Sequence, residues 1–183
     1  MTDSNLVLIG DSNIHFGGGG WAYGFQHCHP NVKTLLWAPG EATSALVDRL
    51  IATPGEEVLE IVKPGATVII NSGVNARWWE IISGREAKAW LDLTTILTSI
   101  PDVRIVWMPT HHVYILRMKM CRWAIKRNAP DSIDYIDLTE DRYRRITMYN
   151  KIGNTPDQNH LVTRSYIYLA KEVIKELKGD DNE

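Results

Sequence analysis

Cysteine is scarce in this chain: Cys28 and Cys121 are the only two in 183 residues. A disulfide scaffold needs more, so the fold must be held by its core, and the pair suits a reducing compartment. Phenylalanine is equally scarce at two, whereas tryptophan reaches seven. Excess charge is also missing, since 20 Lys+Arg against 22 Asp+Glu leaves a net charge of −2. Such a balance creates no field for a phosphate backbone, and nucleic acid is not expected as a main partner. Long apolar runs are absent as well. The first run, Leu6-Val7-Leu8-Ile9, has no basic segment before it and is too short for a signal peptide or a membrane span. A soluble cytoplasmic protein without membrane contact is therefore expected, with virion association or non-classical export as the exceptions. No repeat and no Pro- or Ser-rich linker divides the chain, and Gly17-Gly18-Gly19-Gly20 is its low-complexity segment. What is present is ordinary globular composition, 44% hydrophobic and 23% charged. Residues 1–183 are expected to form one domain burying roughly 70% of the unfolded surface, with 179–183 a frayed tail.

Short apolar runs alternate with longer helical patterns. Strands are expected at Leu6–Ile9, Val32–Trp37, Ala66–Asn71, Val103–Met108 and Ile133–Leu138, because continuous apolar runs mark strands buried on both faces. Helices are expected at Thr43–Ala52 (Ala45, Leu46 and Leu50 on one side), at Glu86–Ser99 (Ala89, Trp90, Leu93, Ile96, Leu97) and at the basic stretch Val113–Arg127. The last is expected at Thr163–Lys178, with Ile167, Ala170, Val173, Ile174 and Leu177 in one stripe and Thr163 as N-cap. Strand and helix in alternation imply right-handed crossovers and a mostly parallel sheet covered on both faces. Chemistry then belongs at the carboxyl ends of the strands.

Four groups of residues sit at such ends. After the first strand comes Gly10-Asp11-Ser12-Asn13, which can expose the Ser12 hydroxyl above the sheet edge. After the second comes Gly40, whose backbone N–H can approach a ligand closely because no side chain intervenes. After the third comes Gly73-Val74-Asn75, and the Asn75 amide can point at a developing oxyanion. Before the last helix comes Asp157-Gln158-Asn159-His160, where the carboxylate can fold back onto Nδ1–H of the imidazole and leave Nε2 as a base. Each has a plain structural reading as well: a strand end or helix cap, a helix-start turn, an Asx turn and a surface histidine. Together they supply a nucleophile, a base with its orienting acid, and oxyanion donors, which is an inventory for acyl transfer.

This arrangement resembles the SGNH hydrolases, also called GDSL-type esterases, in all four blocks: Gly10-Asp11-Ser12, Gly40, Gly73-Val74-Asn75 and Asp157-Gln158-Asn159-His160. The resemblance runs from residue 6 to about residue 177 and matches compact members without a lid domain. It implies a three-layer α/β/α sandwich with a five-stranded parallel sheet in flavodoxin-like order. It implies Ser12 as nucleophile, His160 as general base and Asp157 as its orienting carboxylate. The oxyanion hole would be the backbone N–H groups of Ser12 and Gly40 with the Asn75 side chain. No metal or organic cofactor is implied. Two positions depart from the common pattern: Ala76 stands where many members have Asp, and Asn13 where Leu or Ile is common.

The implied substrate is a short-chain acyl ester, either a small molecule or an O-acetylated glycan. Trp78 and Trp79 follow Asn75 by three and four residues and are expected at the rim, where aromatic faces can stack on sugar rings, with Trp21 joining them. Trp37, Trp90, Trp107 and Trp123 read as core or strand residues. Asp11, Asn13 and His111 are further candidates for substrate contact, and Phe16–Gly20 for a mobile rim beside Ser12. His27-Cys28-His29 lacks a completing cluster for a metal site. The alternative to an esterase is a non-catalytic carbohydrate-binding or virion/surface-assembly module on the same fold, since fold does not dictate function.

Overall fold

Strands in this protein alternate their side chains between two cores, and that alternation positions everything else. The computed structural model describes residues 5–15, 20–36, 43–52, 56–72, 75–109, 133–138, 140–143 and 161–179, together with Lys119, Trp123 and Arg127. Five strands, β1 (Leu6–Gly10), β2 (Lys33–Leu36), β3 (Thr67–Asn71), β4 (Arg104–Trp107) and β5 (Asp134–Tyr135), form one sheet in the order β2-β1-β3-β4-β5. Every pairing is parallel, and Gly10 stands level with Leu36 on one side and Asn71 on the other. This is the flavodoxin-like order that the resemblance to SGNH hydrolases implies.

Val7 and Ile9, Val68 and Ile70, and Ile105 and Trp107 enter one core; Leu6, Leu8, Ile69, Val106 and Met108 enter the other. A period of two in a strand makes this inevitable when both faces are covered. The first core is closed by α2 (Thr43–Ala52), α3 (Glu56–Ile61), α4 (Trp78–Ile82) and α5 (Arg85–Thr98), and the second by α1 (Gly20–Gln26) and α6 (Thr163–Lys178). The result is three layers. Trp90 and Trp107 pack edge to face at 5.7 Å in the first core, and the Trp107 indole N–H is satisfied by Thr94 Oγ1 at 3.1 Å. Among the described residues, no helix is long and apolar enough to cross a membrane.

The expected α2 and α6 coincide with the observed ones, and α5 is displaced by one residue. Of the expected helix Val113–Arg127, Lys119, Trp123 and Arg127 are described, each in helical conformation, and its other residues lie outside the described ones. Thr163 is not the N-cap of α6; Val162 holds that position and Thr163 is the first helical residue. The buried stripe of α6 is Tyr166, Leu169, Ala170, Val173 and Leu177, rotated slightly from the expected one, with Ile167 and Ile174 half-buried. Gly179 is not part of a tail: with φ 75° it closes α6, its N–H bonded back to Glu176 O and Lys175 O.

Helix α1 was not foreseen, because Gly20 and Gly24 depress helix propensity. Both glycines serve close packing instead. A Cβ on Gly24 would lie 2.4 Å from the Tyr166 carbonyl oxygen, so a glycine here lets α1 press directly against the α6 backbone. Gly20 adopts φ 89° with the carbonyl of Ile14 in the path of any side chain.

Candidate active site

Ser12 stands on a hydrogen-bonded turn at the carboxyl end of β1. Ile14 N–H donates to Asp11 O at 3.0 Å, which closes the turn around Ser12 and Asn13. Asp11 Oδ1 accepts from the Asn13 backbone N–H at 3.0 Å and from Asn13 Nδ2 at 3.1 Å, an Asx turn that fixes the corner. The carbonyls of Asn13 and Ile14 receive the first N–H groups of α1, from Trp21 at 2.9 Å and Ala22 at 3.0 Å. The glycine of the block has its own reason: a Cβ on Gly10 would meet Asn71 O at 2.2 Å and Ile14 Cγ1 at 2.6 Å. Ser12 itself is half-buried at this corner.

Asp11 and Asn13 were expected to face the substrate, and the structure corrects this. Asp11 is 1% exposed and Asn13 fully buried, because their side chains are spent on holding the turn from beneath. Asn13 also reaches across the molecule. Its Oδ1 accepts from the Tyr166 hydroxyl at 3.2 Å, and the Tyr166 hydroxyl oxygen in turn accepts from Leu161 N–H at 3.3 Å. The residue after Ser12 and the residue after His160 are therefore tied to one phenolic oxygen contributed by α6. Tyr166→Phe is expected to strand a buried amide oxygen and a backbone N–H, costing about 1–3 kcal/mol in a denaturant melt while keeping the ring's packing.

Asn75 follows β3, the neighbour of β1, and its Nδ2 is buried with no hydrogen-bond partner among the described residues. A buried donor without a partner is uncommon in a folded protein. Gly40 follows β2, the other neighbour of β1, so the three strand ends lie side by side; Gly40 itself is outside the described residues, as are Gly73, His111, Asp157 and His160. Phe16 and the first three glycines of the glycine run are outside them too.

Helix α4 starts three residues beyond Asn75 and carries Trp78 and Trp79 at 44% and 50% exposure, with the Arg85 guanidinium 5.5 Å from the Trp79 ring centre. Trp21 does not join them. It is fully buried in the second core, 5.5 Å from Tyr166 and 5.8 Å from Phe25 between ring centres. Trp90 and Trp107 are core residues as read, whereas Trp123 is exposed with Arg127 over its ring, and Trp37 is outside the described residues. No group of three or more potential metal ligands occurs among the described residues.

Behind the strand ends lies a polar cluster that the sequence reading missed. Glu86, in the first turn of α5, is fully buried. Its Oε1 accepts from Trp90 Nε1 at 3.2 Å and from the Thr43 hydroxyl, and Thr43 Oγ1 also bonds Ser72 Oγ. A second carboxyl, Glu80, accepts from Ser44 Oγ at 3.4 Å and from Arg77 N–H at 2.7 Å. Burial pushes the Glu86 carboxyl up to about 7, opposed by the bonds from Thr43 and Trp90 and reinforced by the charges of Glu80 and Asp11. The folded chain thus keeps this proton longer than the unfolded one. Its contribution to stability is full below about pH 4.5 and is lost as pH rises through about 7. A signal was present: Glu86 falls on the same stripe as Trp90, Leu93 and Leu97.

No family model matches the chain, and no curated protein matches it in sequence. Solved structures do match. An acetylxylan esterase from Geobacillus stearothermophilus superposes with a TM-score of 0.64 at 16% identity, covering 97% of this chain and 96% of that one. An α/β hydrolase enzyme from the metagenome of Lake Arreo, Spain, superposes at 0.65 with 18% identity, over 98% and 97%. A lipase from a goat rumen metagenome does so at 0.64 with 14% identity, over 93% and 96%. At these identities the likeness is one of fold, and the fold is of the SGNH/GDSL hydrolase kind. Two further structures are catalytic mutants of the acetylxylan esterase, in which an aspartate and a histidine three positions apart are replaced by alanine.

Proposed function

We propose that the chain is a serine esterase that hydrolyses short-chain acyl esters, foremost O-acetyl groups on a carbohydrate, through an acyl-enzyme. The observation that carries this reading is the Tyr166 hydroxyl, bonded at 3.2 and 3.3 Å to the residues that follow Ser12 and His160. A nucleophile near the start of the chain and a base near its end need such a link, because proton transfer works only at hydrogen-bond range. The three-residue separation of Asp157 and His160 equals that of the catalytic pair replaced in the acetylxylan esterase.

In this reading His160 Nε2 takes the Ser12 proton as Oγ attacks the ester carbonyl. Asp157 stays ionised and steadies the imidazolium. The oxyanion is received by the N–H groups of Ser12 and Gly40 and by Asn75 Nδ2, the buried donor that otherwise lacks a partner among the described residues. His160 returns its proton to the departing alcohol, then activates the water that frees the acid. Trp78 and Trp79, three and four residues after Asn75 and 44% and 50% exposed, offer aromatic surface for a sugar ring.

A fluorophosphonate probe is expected to label the chain on Ser12, read by peptide mass spectrometry. A panel of p-nitrophenyl esters should fall off steeply beyond acetate and propionate, and acetylated xylo-oligosaccharides should release acetate. Absence of both label and turnover, with sugar binding retained, would replace this reading by the carbohydrate-binding module.

A further inference from the structure

The buried carboxyl of Glu86 has no part in the acyl-transfer steps, yet it sits between two segments those steps depend on. Thr43 opens α2 three residues after Gly40, and Ser72 follows β3 three residues before Asn75. Glu86 Oε1 receives the Thr43 hydroxyl, and the Thr43 and Ser72 hydroxyls bond each other. Because one hydroxyl proton makes one bond, the chain runs from Ser72 to Thr43 to Glu86. Trp90 Nε1 holds the same carboxyl oxygen from below at 3.2 Å. The Ser44 and Arg77 bonds to Glu80 lie alongside and join the same α2 terminus to α4.

We propose that Glu86 is a positioning residue for the oxyanion site: through Thr43 and Ser72 it holds the start of α2, which follows Gly40 in the sequence, against the end of β3, which precedes Asn75. This rests on the esterase reading, in which those two residues are donors. The oxyanion adds a second constraint. Its negative charge develops in the same carboxyl end of the sheet, so a neutral Glu86 is compatible with it and an ionised one opposes it. Among the described residues, the charged groups facing Glu86 are Glu80 from α4 and Asp11 from the turn after β1, both acidic. From α2 and the end of β3 it meets the hydroxyls of Thr43 and Ser72, and from α5 the Trp90 indole. Burial raises this carboxyl to about 7, so the switch from acid to anion falls near neutral pH.

The test compares wild type, Glu86→Gln, Glu86→Ala and Thr43→Val as full chains, with p-nitrophenyl acetate as substrate and thermal melting at each pH. Wild-type kcat should fall above about pH 7, as Glu86 ionises. Glu86→Gln keeps an acceptor oxygen and stays neutral, so its descending limb should vanish, and its melting temperature should lose the decline between pH 4.5 and 7. Glu86→Ala and Thr43→Val should lose about tenfold in kcat at pH 6 with KM little changed, the equivalent of one hydrogen bond. The proposal is overturned if all four share one pH profile, or if any loss appears in KM alone. A wild-type chain with neither turnover nor Ser12 label overturns the esterase reading and this one with it. An active wild type with indifferent variants overturns this one only.

Discussion

Replacing Ser12 with alanine is expected to lower kcat on short acyl esters by roughly 10⁴ to 10⁶, the range for removing a nucleophile from a working triad. No other described side chain at the carboxyl end of β1 can take its place, since Asp11 and Asn13 are buried and committed to the turn. The turn itself is built from Asp11, Asn13 and Ile14, with α1 pinning two of its carbonyls. The variant should therefore melt within about 2–4 °C of wild type. Full loss of activity with retained melting assigns the effect to chemistry; activity within tenfold of wild type removes Ser12 from the mechanism.

Asn75→Ala carries the second large effect, through the opposite balance of stability and rate. The Nδ2 of Asn75 is buried without a partner among the described residues, a state that costs roughly 1–3 kcal/mol for an amide donor. Such a cost persists where the donor serves a transient partner, and the oxyanion is one. Losing one oxyanion donor typically lowers kcat by about 10²–10³. The alanine chain is thus expected to lose that much in kcat with KM little changed, yet to melt at or above the wild-type temperature. A variant that keeps its kcat, or one that melts lower as activity drops, would show that Asn75 serves the fold instead. Chemical denaturation beside steady-state kinetics on one ester gives both readings.

Different parts of this molecule were legible in the sequence to different degrees. β1 and β3 were readable because burial on both faces leaves apolar residues in succession, as in Leu6–Ile9, whereas β5 is only Asp134–Tyr135, half-exposed and shorter than the expected Ile133–Leu138. Helices α2, α5 and α6 were readable because each is long enough to show a stripe. Helices α1, α3 and α4 were not. At five to seven residues they are too short for periodicity, and α1 also carries the glycines that its packing requires. The tryptophans divide in the same way. Trp90 and Trp107 fall on apolar patterns and are core, but composition offers no means to separate Trp21, fully buried, from Trp78 and Trp79, which face solvent.

Local patterning determined where β1, β3, β4 and helices α2, α5 and α6 lie, that the sheet is parallel, and which residues follow its strands in the chain. These follow from periodicity and chain connectivity, which act over a few residues at a time. Tertiary structure alone decided that Asp11 and Asn13 support the turn from below. It alone decided that Glu86 is a buried acid rather than a solvated first-turn charge, and that Tyr166 joins residues 13 and 161. Whether a polar side chain is solvated or spent inside depends on which distant segment packs over it, and that partner lies 29 to 153 residues away for the Thr43–Glu86, Ser72–Thr43 and Asn13–Tyr166 contacts.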